Sequence, residues 1–253
     1  MNRQLPRLSL LLALLLLALP TWAAEREISE TFDLGANGRI SLSNINGDVT
    51  IEGWDRDVVE VRAEIRSKSR SSVERTAVDF DYEGTTLDIE VDLPRSRGGW
   101  LGSHDGATVE FWLKVPRRVR LDDLSLVNGS LEITGVEGEV AASLVNGGLE
   151  ADGLRGDAEL STVNGSIDAR FDSLGGTQRI EIDSVNGSID LFLPADADAE
   201  ISAETVHGRI SNDFSLYVDK SGWVGQELRG QLGSGSARIS LDNVNGSIDI
   251  RKN

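Results

Sequence analysis

Val163-Asn164-Gly165-Ser166-Ile167 decides the reading of this chain, because the same five-residue form recurs along it. It stands at Ile45-Asn46-Gly47-Asp48-Val49, Val127-Asn128-Gly129-Ser130-Leu131, Val145-Asn146-Gly147-Gly148-Leu149, Val185-Asn186-Gly187-Ser188-Ile189, Val206-His207-Gly208-Arg209-Ile210 and Val244-Asn245-Gly246-Ser247-Ile248. From glycine to glycine the steps are 82, 18, 18, 22, 21 and 38 residues, so the unit is about 18 to 22 residues long, the last interval is close to two units and the first close to four.

Around each copy the pattern has a period of two. Six residues before the asparagine position stand Ile40, Val140, Ala158, Ile180, Ile201 and Ile239, and four before it stand Leu42, Leu124, Ala142, Leu160, Ile182, Ala203 and Leu241, with polar residues between. After the turn the alternation resumes, as in Leu131-Glu132-Ile133 and Ile189-Asp190-Leu191. Each unit therefore reads as strand, Asn-Gly turn, strand, with one face buried. Asparagine and glycine suit the turn because both tolerate positive φ.

Two all-β architectures fit this unit. In an antiparallel meander or sandwich every turn reverses into a neighbouring strand. In a β-solenoid the turns are corners of a coil, and equivalent residues stack about 4.8 Å apart. Near-constant spacing of identical corners favours the solenoid, since stacking rewards identity. Its corners are then Asn46-Gly47, Asn128-Gly129, Asn146-Gly147, Asn164-Gly165, Asn186-Gly187, His207-Gly208 and Asn245-Gly246.

The N-terminus differs from the rest. Arg3 and Arg7 precede an apolar run from Leu8 to Leu19, then Pro20 to Ala24 and the first acid, Glu25. This layout predicts a secretory signal peptide over residues 1–23 and a mature domain over 24–253. The run is shorter than the roughly 20 residues a membrane-spanning helix needs, and no second one follows. The expected destination is the periplasm, the outer-membrane surface or the medium. The chain has no cysteine, so packing and backbone pairing must hold it together. Without Arg3 and Arg7 it carries 23 basic against 42 acidic residues, a net of −19, which disfavours nucleic acid and favours cations or basic partners.

Two stretches break the repeat. Between Ser67 and Val119 longer, more conventional strands are legible, and the glycine-rich loop Arg95 to Gly106 holds Trp100 and His104. Tyr217 to Ser236 carries Trp223 between glycines. A tryptophan in such a loop can stack on a sugar ring or wedge into a partner, so Trp100, His104 and Trp223 are candidate binding residues; the same rings can instead fold back over the ends of the stack. No helix is expected after the signal.

The order Gly47-Asp48-Val49-Thr50-Ile51-Glu52-Gly53-Trp54, then Val58-Val59-Glu60-Val61, Val115-Pro116, and Gly230-Gln231-Leu232-Gly233-Ser234-Gly235 ahead of the last repeat resembles the bacterial putative-adhesin family of β-strand repeats, a domain of unknown function. The resemblance covers nearly all of the mature chain. It implies a β-solenoid of the cell envelope or surface and supplies no catalytic residues.

The chemistry on offer is sparse. Glu132, Glu150, Asp168 and Asp190 occupy equivalent positions two residues beyond the corner serine or its counterpart, and in a solenoid they form an acidic column able to attract Ca²⁺ or a cationic polymer. The plainer account is an outward face that needs polar residues. No cofactor is expected apart from that candidate cation, and two distant histidines argue against a histidine-based zinc site. The sequence thus predicts a non-catalytic, adhesin-like binding or scaffolding module whose partner is an envelope glycan or a surface protein. A carbohydrate-active lyase or hydrolase on a β-helix, and an envelope-stress or regulatory partner, are the alternatives.

Overall fold

The computed structural model describes residues 24–93, 106–220 and 225–253. Strands dominate and form two long sheets, one of ten strands and one of eleven. Each repeat contributes one strand to each sheet. In the fourth repeat, Ala158–Asn164 lies in the eleven-stranded sheet, the chain turns at Gly165, and Ile167–Phe171 lies in the ten-stranded sheet.

Neighbouring repeats pair in parallel and in register. Asn146 stands beside Asn164 and Asn164 beside Asn186 in one sheet, while Leu149 stands beside Ile167 and Ile167 beside Ile189 in the other. Parallel pairing of equivalent residues is the coil arrangement and not the meander. Alternate side chains turn inward into one continuous core between the sheets: Ile180, Ile182, Ile189, Leu191 and Leu193 are all completely buried.

The stacking order departs from chain order. The corners run Asn46, Asn128, Asn146, Asn164, Asn186, Asn245, His207. The C-terminal repeat, Ala237–Asn245 with Ile248–Lys252, is inserted between the repeat of Asn186 and that of His207. Its detour passes through Gln226–Leu232, which pairs antiparallel with Ala199–His207 and, with Val218–Asp219, closes that end of the eleven-stranded sheet. At the opposite end of the stack, Ala24–Phe32 pairs antiparallel with Val59–Ser67 at the edge of one sheet, and Ala77–Tyr82 with Thr86–Asp92 at the edge of the other. The irregular segment also contains a short helix, Arg70–Arg75, which the strand pattern did not foretell.

The corner glycines are needed for a reason other than the one read from the sequence. No corner asparagine has positive φ; among the described residues Ser215 is the sole non-glycine that does. Gly47, Gly129, Gly147 and Gly246 are left-handed, but Gly165, Gly187 and Gly208 are not. What all seven share is the approach of a neighbouring backbone. The space where a β-carbon would project holds the carbonyl of the next corner glycine in the stack, or for Gly47 that of Val109. Stacking, more than the turn itself, excludes a side chain.

Polar side chains complete the corners. The asparagines form a ladder in which each Nδ2 donates to the Oδ1 of its neighbour: Asn128 to Asn46, Asn146 to Asn128, Asn164 to Asn146, Asn186 to Asn164 and Asn245 to Asn186, at 2.9–3.0 Å. His207 occupies the last rung, where Asn245 adjoins it in register and, among the described residues, no further corner is paired beyond it. Two residues before the corner, buried polar side chains reach the glycine carbonyls. Asn243 Nδ2 donates to Gly187 O at 2.8 Å, Thr205 Oγ1 to Gly246 O at 3.0 Å and Asn44 Nδ2 to Gly47 O at 3.0 Å. A buried acceptor left without a donor would be costly, which accounts for polar residues at otherwise apolar inward positions.

Candidate functional site

The outer face of the eleven-stranded sheet carries a column of exposed apolar side chains. In each repeat the residue before the corner points outward, since the positions two, four and six before it point inward. Ile45, Val127, Val145, Val163, Val185, Val244 and Val206 therefore form a column along the stack, each 37–41% exposed. Seven rows at about 4.8 Å make a stripe roughly 29 Å long.

A second outward column runs beside it, two residues further from the corner. In stack order it reads Ser43, Ser125, Ser143, Ser161, Asp183, Asp242, Glu204. The valines and this column line an open groove of about 650 Å³ that extends from the Ser125 row to the Glu204 row. One wall is the apolar valine column, and the floor between the walls passes over Leu126, Leu144, Thr162, Ser184 and Asn243. The other wall grades from hydroxyls at one end to carboxylates at the other.

The acidic end is electrostatically strained. Burial pushes the Asp183 carboxyl above the usual carboxylate range, and Asp242, Glu181 and Glu159 add to the shift. The serine end is bonded within its own face, Ser125 Oγ donating to Asp123 at 2.6 Å and the Ser143 and Ser161 hydroxyls lying 2.6 Å apart.

The acidic residues named from the sequence lie on the other sheet. Glu132, Glu150, Asp168 and Asp190 stand in adjacent register, and the inserted C-terminal repeat adds Asp249 as a fifth member. This column is not uniformly anionic in its surroundings. Arg251 Nη2 lies 2.7 Å from Asp190 Oδ1, and Ser211 Oγ donates to Asp249. Burial pushes the Asp190 carboxyl up, Arg251 opposes this, and Asp168 and Asp249 reinforce it. Among the described residues no group of three or more histidine, aspartate or glutamate side chains is disposed to hold a metal ion. Trp100, His104 and Trp223 lie outside the described residues.

The valine column was open to inference, because the inward parity of the −4 and −6 positions already sends the −1 residue outward. Its apolar character inside a turn motif disguised it as part of the corner.

Among the described residues no helix is long and apolar enough to cross a membrane. No curated protein matches the sequence significantly. Solved structures share the fold. A protein of Clostridium sporogenes described as a "putative cell adhesion protein" aligns over 91% of this chain and 100% of its own, with a TM-score of 0.55 and 13% identity. At that identity the likeness concerns the fold alone. Two proteins described as a "putative adhesin", from Parabacteroides merdae and Bacteroides fragilis, align over 90% and 89% of this chain and 96% and 97% of theirs, at 7% and 10% identity. Their TM-scores, 0.32 and 0.31, are too low to add to the argument. Residues 118–251, more than half of the chain and six of its seven corners, match the Toastrack DUF4097 family. The chain belongs to the Toastrack DUF4097 family.

Proposed function

We propose that this protein is an exported, non-catalytic, adhesin-like binding or scaffolding module of the bacterial cell envelope or surface, and that it makes contact through the valine-lined groove. The observation that carries this reading is the exposed β-branched column itself. Soluble monomers rarely leave a contiguous apolar strip of this length open to water unless something covers it. A stacked scaffold suits the task, because backbone pairing along its whole length holds the groove rigid and little conformational entropy is lost on docking.

The protein is incubated with cell-wall, lipopolysaccharide and intact-cell fractions, and both retained protein and released sugar are measured. Saturable retention without sugar release supports the reading. Released sugar would favour a carbohydrate-active enzyme, and absence of both signals would sink the envelope-binding account. Replacing Trp100 and Trp223 by alanine in the same assay shows whether these two side chains add to the contact.

A further inference from the structure

We propose that the occupant of the groove is a second copy of this chain, packed face to face with its stack reversed. The inference rests on the reading of the groove as a contact surface, and it names the partner.

The argument comes from the order of side chains along the face. Two identical faces can meet about a two-fold axis parallel to the strands. Placed at the Val163 row, that axis lays each outward column on its own counterpart and reverses the order of the rows. Ile45 then meets Val206, Val127 meets Val244, Val145 meets Val185, and Val163 meets itself, so the apolar stripe is covered along its whole length by an equal stripe. In the second column Ser43 meets Glu204, Ser125 meets Asp242, Ser143 meets Asp183, and Ser161 meets itself. Every carboxylate of that column is set against a hydroxyl, which can donate to it, and none against another carboxylate.

The alternative two-fold axis, parallel to the stack, keeps each row opposite itself. It sets the acidic end, Asp183, Asp242 and Glu204, against the same acidic end and leaves the serines facing serines. Like charges brought together where water is excluded oppose such a pair. Burial and the neighbouring Asp242, Glu181 and Glu159 already raise the Asp183 carboxyl within one chain, and further carboxylates brought against it would add to that cost.

The match is incomplete in the third outward column, where Glu181 meets the apolar Ala141. The same column places Glu159 on the axis, opposite its own copy. Ser125 must also exchange its bond to Asp123 for one across the interface. The three columns span roughly 29 Å by roughly 13 Å between backbone positions. That is smaller than the ~800 Å² per partner of a standard stable interface, so the contact is weak and concentration-dependent.

Sedimentation equilibrium on the full protein from the micromolar to the sub-millimolar range tests the proposal. Reversible dimers are expected. Ser125→Asp, which creates two like-charge meetings per dimer, is expected to weaken association by about tenfold or more. Adding Asp242→Ser to it restores a hydroxyl-carboxylate pair and is expected to recover most of the loss, while Glu159→Gln tightens the natural dimer. A protein that stays monomeric throughout, or single and double variants that associate equally, would overturn the proposal. Saturable envelope retention by such a monomer would overturn the second copy as occupant and leave the binding reading standing; loss of both would remove that reading too.

Discussion

Gly187→Ala measures how tightly the coils stack. A β-carbon at Gly187 would lie 2.5 Å from the Gly165 carbonyl carbon, nearer still to its oxygen, and 3.1 Å from Ser166 N. Ordinary carbon-carbon contact begins near 3.5 Å, so the two coils must part by about 1 Å at this corner. The three shortest hydrogen bonds across this corner junction are Gly165 N to Asn186 O at 3.0 Å, Ile167 N to Ser188 O at 2.9 Å and Asn186 Nδ2 to Asn164 Oδ1 at 3.0 Å. At about 1 kcal/mol each, their weakening predicts a loss of about 3 kcal/mol. For a domain of this size that lowers the melting temperature by about 10 °C. Gly148→Ala is the internal control, one residue past a corner. Its φ lies outside the left-handed region and an added β-carbon meets nothing closer than Ser166 O at 3.7 Å. Alanine there restricts only the unfolded chain and is expected to stabilise by about 0.5 kcal/mol. Thermal unfolding followed by circular dichroism reads both. A Gly187→Ala protein within about 1 kcal/mol of the natural one would refute the argument that stacking, and not turn conformation, selects the corner glycine.

Three further outcomes follow from the same structure. Ile182→Ala removes a completely buried side chain from the middle of the core and should cost about 2–4 kcal/mol in urea unfolding, with no change in the slope. Asp198 accepts hydrogen bonds from the Ser234 hydroxyl, Ser236 N, the Ser236 hydroxyl and Gly235 N, which hold its carboxyl down at about 2. Its folded value lies below the ordinary 3.8, so its contribution is complete above about pH 4 and fades as pH falls toward 2; Asp198→Asn should melt earlier than the natural protein at neutral pH, with the gap closing in that window. Asp183 shifts the other way, its carboxyl raised by burial and by Asp242, Glu181 and Glu159. The charged form is disfavoured in the folded state, so Asp183→Asn should raise the melting temperature at neutral pH and lose that advantage as acid protonates the natural carboxyl.

The sequence pattern revealed much of this fold because one five-residue form, apolar residue, asparagine or histidine, glycine, a variable residue and a second apolar residue, marks every corner. Identity at fixed spacing is what parallel stacking rewards, and the Asn46 to Asn245 ladder is its physical expression. The order of the stack was not legible. The repeats of Asn186 and Asn245 are nearly interchangeable locally, and nothing in either states which neighbour it takes. The one cue was the 38-residue interval before Gly246, which accommodates the antiparallel strand Gln226–Leu232. Histidine at 207 is explained by position, since it ends the ladder. Polar Thr162, Ser184 and Asn243 broke the apolar pattern at inward positions because each donates to the carbonyl of a corner glycine, at 3.3, 3.4 and 2.8 Å. The acidic column drew attention as the more obvious chemistry. The valine column on the opposite sheet hid inside the motif that defined the fold.

The most direct test of that column as the contact surface is envelope retention by a variant in which Val145, Val163 and Val185 are each replaced by aspartate, measured beside its thermal unfolding. All three side chains project outward and are about 40% exposed, so the fold should persist. The account predicts that saturable retention disappears while cooperative unfolding remains. Retention unchanged from the natural protein would contradict it and place the contact elsewhere on the molecule.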